Sequence, residues 1–144
     1  MKKPIVLVLA VILLSAAAPV FAQPTDLEME QAFTLSFQVF FLASIQTAFG
    51  MVIPGVEVDD EGMVLTDVDL AAMELEELGP YSSISGTILA VSDTEMHADL
   101  KLTGGPVKKL GWKIAEFNME EDFTVTITAD GRTRTVNTAD MQME

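Results

Sequence analysis

The chain has 144 residues, no cysteine and one histidine, and it carries 22 acidic against 8 basic residues. Its length fits one domain, and a hydrophobic content of 49% is too high for a disordered chain. Without cysteine there is no disulfide framework or thiolate metal site. The net charge of −14 argues against nucleic acid as a partner, because phosphate binding requires a basic surface.

The first 22 residues have the pattern of a secretory signal peptide. Two lysines precede an uncharged apolar stretch over 5–14, and Val20 and Ala22 are small residues at the −3 and −1 positions of a signal-peptidase site. We therefore expect cleavage after Ala22 and an exported product over 23–144, periplasmic or extracellular. A retained membrane anchor is the alternative, although the apolar stretch is short for a membrane span.

Charge is unevenly distributed along the predicted mature chain. Residues 23–100 contain 15 acids and no lysine or arginine, whereas 101–144 contain seven acids and six basic residues. The acidic first part would repel anionic lipid headgroups and polyanions, and it would attract a cation or a basic partner. A carboxylate coat that serves only solubility is the alternative explanation.

One long helix is predicted over 25–49. Thr25 and Glu28 have the spacing of a capping box, and Gly50 is placed to end the helix. Residues 31–56 contain no charge, and their apolar side chains fall on more than one side of the helix. Three arrangements follow: enclosure by a curved sheet, a membrane span, or partial cover that leaves a second apolar side for a copy of itself, another protein or an apolar ligand.

From residue 56 onward the hydrophobic period changes to two, which is typical of strands. The connections are too short for parallel crossovers. The predicted fold is therefore α+β: one N-terminal helix packed on an antiparallel meander of about six strands, in a single domain over 23–144. Strands are expected over 56–58, 63–70, 84–92, 95–103, 107–117, 123–129 and 132–138.

The alternation also predicts which side chains face the core. In 63–70, one face is formed by Val64, Thr66, Val68 and Leu70, and the other carries Asp67 and Asp69. Residues 71–78 form a short helical turn or an irregular strand continuation. The Asp130-Gly131 pair predicts a two-residue hairpin before the last strand, which is polar and is expected at an edge of the sheet.

A pocket between helix and sheet is the predicted ligand site. Bulky apolar side chains from both elements would line it, and the nine methionines of the chain supply adaptable surface. A plain hydrophobic core is the alternative explanation for the same residues. The predicted lining is Phe37, Phe41, Ile45, Met96, Leu100 and Trp112.

Acidic residues after the helix are the best metal candidates. Calcium requires several converging oxygen ligands, and the run Asp59-Asp60-Glu61-Gly62 lacks the alternating spacing of an EF-hand loop. A solvated turn is therefore the competing interpretation. The candidate ligands are Asp59, Asp60, Glu61, Asp67 and Asp69, with Glu57 beside them.

No catalytic site is predicted. His97 lies on the polar face of its strand with Asp99, which is a weak general-base pair, and no nucleophile elbow is present. The glycine-rich turn before Lys108 and Lys109 lacks the pattern of a phosphate loop. These lysines could instead pair with the acidic part of another copy, and such a head-to-tail contact would weaken as salt is added.

The sequence thus predicts a small exported, non-enzymatic binding or interaction protein of the cell envelope without a cofactor. Its partner would be another envelope protein, itself, or an apolar ligand held between helix and sheet. We expect neither nucleic acid binding nor a stable membrane span after cleavage. Two alternatives remain: a structural or accessory envelope protein with no small ligand, and an enzyme that uses paired carboxylates.

Overall fold

The computed structural model describes residues 23–73 and 80–141. The predicted signal peptide and the region 74–79 lie outside these residues. Helix α1 is followed by seven strands, with short 3-10 turns at Ala71–Met73 and Thr138–Asp140. The elements are α1 (Asp26–Ala48), β1 (Val56–Asp59), β2 (Gly62–Asp69), β3 (Ser83–Ala90), β4 (Met96–Thr103), β5 (Lys109–Ile114), β6 (Thr124–Ala129) and β7 (Arg132–Asn137).

Both ends of α1 are defined by local hydrogen bonds. The Thr25 hydroxyl accepts from the Glu28 N–H at 3.1 Å, and the Glu28 carboxylate accepts from the Thr25 N–H at 2.9 Å. Gly50, in the left-handed region at φ +84°, donates its N–H to the Thr47 carbonyl at 3.0 Å. The predicted capping box and the predicted stop are therefore confirmed.

The strands form one antiparallel sheet in the order β1-β2-β3-β4-β5-β6-β7. Each strand pairs with its neighbour in sequence, so the sheet is the predicted meander, and its seven strands correspond to the seven predicted segments. Asp130 and Gly131 both have positive φ, 49° and 91°, as a type I′ hairpin requires. The α+β prediction is confirmed, and β1 and β7 form the two edges of the sheet.

The predicted inner face of β2 is wrong for its first half. The pairing of β2 with β3 shifts register between Leu65 and Val68, where Asp67 adopts a left-handed conformation at φ +45°. Such a bulge inserts an extra residue, so the side chains that face the core change from odd to even numbers. Leu65 and Val68 are both buried, whereas Val64 and Thr66 face solvent.

Aromatic rings fill the space between α1 and the middle of the sheet. The Phe33 ring meets Trp112 edge-on with 5.3 Å between centroids, and the Phe37 ring lies 5.8 Å from Trp112 and 5.9 Å from Phe123. The Trp112 indole Nε1 donates to the Ser36 hydroxyl at 2.9 Å in this buried region. This hydrogen bond satisfies the polar atom of the tryptophan, which stabilises its burial.

Helix α1 is only partly covered by the sheet. Its exposed side is polar in the first half, at Gln31 and Gln38, and apolar in the second half, at Phe41 and Ile45. Of the three predicted arrangements, the structure has partial cover. Within the described ranges, no helix is long and apolar enough to cross a membrane.

Candidate functional site

The residues of the predicted pocket fall into a buried group and an exposed group. Met96, Leu100 and Trp112 are buried on the inner face of the sheet, with Phe37 packed against Trp112. Phe41 and Ile45, the other two members of the set, lie about one and two helical turns beyond Phe37 and are each 40% exposed. The structure therefore brings four of the six predicted residues into the helix–sheet contact and places two on the surface.

Those two residues belong to an exposed apolar surface at the C-terminal end of α1. Phe41, Ile45 and Phe49 are spaced by four residues, so they share one helix face. Phe49 is 81% exposed, and the following loop adds Met51 at 56% and Val52 at 90%. We call these five residues the apolar helix end.

Local geometry explains why this surface stays exposed. The Met51 N–H donates to the Gln46 carbonyl at 3.0 Å, which completes a Schellman motif at the end of α1. In this motif Met51 often packs on one of two helix residues, here Gln46 or Ile45. Gln46 is polar, and Met51 and Ile45 remain 56% and 40% exposed. The chain returns to the core only at Ile53 and Val56, both partly buried.

The apolar helix end is comparable in area with the largest apolar patch of a typical monomeric protein. Typical side-chain areas give it on the order of 500 Å² of apolar surface. Patches of this size on monomeric proteins often serve as interaction sites. The size of the surface is therefore a reason to seek a macromolecular partner for it.

The chain segment that forms and follows this surface, up to the end of β2, carries no positive charge. The last turn of α1 has no basic residue, so the partial negative charge of the helix C-terminus is uncompensated there. Strand β1 begins four residues after Val52 and is only roughly 13 Å long. It leads into an acidic hairpin whose exposed carboxylates are Glu57, Asp59, Asp60 and Glu61.

The candidate metal ligands make local hydrogen bonds. The Asp59 carboxylate accepts from the N–H groups of Glu61 and Gly62 at 2.8 and 3.1 Å, which stabilises the β1–β2 turn. Asp67 pairs with the Ser85 hydroxyl at 3.2 Å, and Asp69 accepts from the Ala71 N–H. In the part of the chain that the structure describes, no group of three or more His, Asp or Glu side chains could hold a metal ion.

The single histidine pairs with a different carboxylate from the one considered in the sequence. His97 Nε2 lies 2.8 Å from Glu95 Oε2, and both side chains are partly exposed. Asp99 shares the outer face of β4 with His97 but makes no hydrogen bond with it in the structure. The geometry is that of a surface ion pair, which is worth little in stability.

A groove of about 700 Å³ lies on the outer face of β5 and β6, beside the loop over 115–123. It includes none of the residues of the predicted pocket. Two of its polar side chains support the loop: Asn118 accepts from the Glu120 N–H at 2.8 Å, and Asp122 accepts from the Thr138 hydroxyl at 3.1 Å. These bonds indicate a structural role for that part of the groove.

An ion-pair cluster between β7 and the start of α1 was missed by the sequence analysis. Arg134 Nη2 donates to Glu30 Oε2 at 2.8 Å, and Glu30 is only 2% exposed. Arg134 Nη1 also donates to Asp26 at 3.2 Å. Arg132 bonds the same aspartate and the Pro24 carbonyl. One signal was available in the sequence: Arg132 and Arg134 alternate with the apolar Val136, so all three side chains lie on the same face of the strand.

The apolar helix end with its acidic hairpin is thus the strongest candidate site. It combines exposed apolar area, one sign of charge and a rigid position at the end of a capped helix. Comparison with protein-family models, curated proteins and solved structures finds no match for this chain.

Proposed function

We propose that the mature protein is a small exported, non-enzymatic interaction domain that binds another envelope polypeptide through the apolar helix end. The observation that carries this proposal is the exposure of Phe41, Ile45, Phe49, Met51 and Val52 side by side on a protein of this size. Export follows from the signal-peptide pattern of the first 22 residues.

Charge selects the kind of partner. The acidic hairpin follows the apolar helix end in the chain, separated from it by a short loop and β1, and no lysine or arginine occurs anywhere in 23–100. A segment with apolar side chains and adjacent lysine or arginine residues would complement both features. A second copy of this chain would bring the same carboxylates together, and an anionic membrane would be repelled for the same reason. The partner that fits is a basic, partly apolar polypeptide.

The helix–sheet contact favours a macromolecule over a small apolar ligand. The rings of Phe37, Phe117 and Phe123 lie within 5.9 Å of one another in pairs, and Trp112 closes the other side of Phe37. This packing supports the structural alternative, because Phe37 and Trp112 of the predicted lining contact each other and two further rings cover Phe37. It does not involve the exposed surface, on which the interaction proposal rests.

Site-specific photo-cross-linking tests the proposal. A photoreactive amino acid is placed at position 49, in the cells that export the protein, and a matched probe is placed at Met119, which is 69% exposed in a distant loop. We expect a protein adduct from position 49 alone, mapped by mass spectrometry to a segment with apolar and basic residues. An adduct with lipid or with another copy, or equal adducts from both positions, would contradict the proposal.

A double variant provides the complementary control. Phe49→Ser with Val52→Ser removes apolar area from two largely solvent-exposed positions. The free energy of unfolding should change by less than about 0.5 kcal/mol, because surface substitutions of this kind are usually near neutral. The adduct formed by a probe at position 45 should fall at least tenfold. An unchanged adduct would show that this surface does not bind the partner.

A further inference from the structure

We propose that β7 pairs with β7 of a second copy, which joins two sheets of seven strands into one continuous antiparallel sheet. Strand β7 spans Arg132–Asn137 and stands last in the sheet order. Among residues 23–73 and 80–141, no strand pairs with its outer edge. This inference concerns a different surface and a different partner from the proposed function.

The hydrogen-bond pattern shows which backbone groups face outward. The two-residue hairpin pairs Ala129 with Arg132, and farther along the Thr138 N–H donates to the Phe123 carbonyl at 2.8 Å. Residues in an antiparallel pair alternate between bonding to the neighbour and pointing away. The even-numbered residues of β7 therefore bond to β6. The outward N–H and C=O groups belong to Thr133, Thr135 and Asn137.

This edge is self-complementary around a two-fold axis at Thr135. In that register, Thr135 pairs with Thr135 of the second copy, and Thr133 pairs with its Asn137. Each of these three residues contributes an N–H and a C=O, so all outward groups find partners. Threonine pairs directly opposite one another are favourable in antiparallel sheets.

The same register keeps like charges apart. On the inner face, Arg134 would lie opposite Val136 of the second copy and not opposite another arginine. The Arg134 guanidinium is already paired with Asp26 and Glu30, so its charge is locally balanced. Strand β7 contains no proline, lysine or bulge, and its inward-pointing charges, Arg132 and Arg134, are paired with Asp26 and Glu30 of its own helix.

The net charge of the protein gives the pairing a distinctive salt dependence. The predicted mature chain keeps 22 acids and loses two of the 8 basic residues with the signal peptide, for a net charge of −16. Two such chains repel each other, and added salt screens that repulsion. Dimerisation through β7 should therefore strengthen with salt, whereas a head-to-tail contact through Lys108 and Lys109 would weaken.

Sedimentation equilibrium of the exported protein at low and high salt tests the inference. Thr135→Pro removes an N–H that points away from the sheet, so the protein's own ladder keeps its bonds. Val58→Pro is the matched control, because the same alternation turns the Val58 N–H outward on the opposite edge, in β1. If Thr135→Pro disturbs folding, Thr135→Lys tests the same edge by placing two lysines opposite each other.

The expected result is a dimer that tightens several-fold between low and high salt. Either substitution at Thr135 should reduce the association constant at least tenfold, while Val58→Pro leaves it unchanged. A monomer under all conditions would overturn the inference. So would a dimer that weakens with salt, that is indifferent to Thr135, or that responds equally to Val58→Pro.

Discussion

The two edges of the sheet differ in length, charge and surroundings. Strand β1 has four residues, carries Glu57 and Asp59, and lies next to the apolar helix end. Strand β7 has six residues, and its arginines point towards α1. The backbone N–H and C=O groups at its free edge belong to the neutral residues Thr133, Thr135 and Asn137. Unpaired charge on an exposed edge discourages pairing with another copy, whereas the β7 arginines are paired with acidic residues of α1. The edge strands thus suit different partners.

This difference arises from the order of the chain. In a meander, the first and last strands lie at opposite edges, so an uneven charge distribution along the sequence becomes uneven across the molecule. Strand β1 lies in the part of the chain without lysine or arginine, whereas β7 lies in the nearly balanced part. The acidic first part is therefore divided: the carboxylates of β1 and its hairpin lie at one edge, whereas Asp26 and Glu30 pair with the arginines at the other.

The largest expected loss of stability follows from a substitution in β7. Arg134→Ala removes the guanidinium that pairs with Glu30, a carboxylate that is 2% exposed. Removing one partner of a buried ion pair is strongly destabilising, so we expect a loss of about 3 kcal/mol in the free energy of unfolding. Urea denaturation followed by Trp112 fluorescence measures it.

Arg132→Ala is the matched control for that substitution. Its partner Asp26 has a side chain that is 50% exposed, so water can replace the lost contact. The expected loss is about 1 kcal/mol or less. Equal losses of stability for Arg134→Ala and Arg132→Ala would show that the burial of Glu30 does not strengthen its ion pair.

The next largest loss of stability is expected from a substitution directly before β1. Gly55 has φ +87°, and a Cβ added there would lie 2.4 Å from the Thr66 carbonyl oxygen. Gly55→Ala should therefore lower the free energy of unfolding by about 2 to 3 kcal/mol, because strain and a backbone clash act together. Gly50→Ala is the control, since Gly50 has φ +84° but open space around it. Its expected loss is about 1 kcal/mol.

These residues show what the sequence could and could not predict about the fold. The capping box and the alternating strands depend on neighbours in sequence, so local patterns identified them. The bulge in β2 requires a left-handed Asp67, and no glycine marks that position. The pairing of Glu30 with Arg134 joins residues 104 positions apart, which no local pattern specifies.

The candidate site was predictable only in outline. The absence of charge over 31–56 indicated apolar surface beyond what one core face requires. Which side of the helix stays exposed depends on how far the sheet extends around it, and that is a property of the whole fold. The sequence analysis therefore grouped Phe41 and Ile45 with Trp112, although the structure leaves each of them 40% exposed.

The third prediction concerns a variant in which the acidic hairpin is neutralised. The triple variant Glu57→Gln, Asp60→Asn and Glu61→Gln removes three exposed charges and keeps Asp59, whose carboxylate stabilises the turn. The free energy of unfolding should change by less than about 0.5 kcal/mol. Self-association should increase, because the repulsion beside the apolar helix end is reduced.

Sedimentation velocity at high protein concentration measures that association. The control neutralises the same number of exposed acids in a distant loop, with Glu116, Glu120 and Glu121 all changed to glutamine. Both variants lower the net charge equally, so only the position of the charges differs. If both associate to the same degree, net charge and not the acidic hairpin keeps the copies apart.

The smallest effect concerns Tyr81, which belongs to neither edge. Its hydroxyl accepts a hydrogen bond from the buried Val107 N–H at 3.1 Å. Burial raises the pKa of Tyr81 above its usual value of 10.0, and this outweighs the opposite effect of the Val107 hydrogen bond on the pKa.

The direction of the pH effect on stability follows from that shift. The neutral phenol is favoured in the folded state, so its contribution is complete below pH 10.0 and is lost as the pH rises through the raised pKa of the folded protein. Tyr81→Phe should cost about 1 kcal/mol at neutral pH, because the Val107 N–H loses its acceptor. Between roughly pH 9 and 11, however, its free energy of unfolding should fall less than that of the wild type. Urea denaturation of both proteins at the two pH values measures the loss of stability in each. Equal losses for Tyr81→Phe and the wild type would show that groups other than Tyr81 cause the alkaline sensitivity.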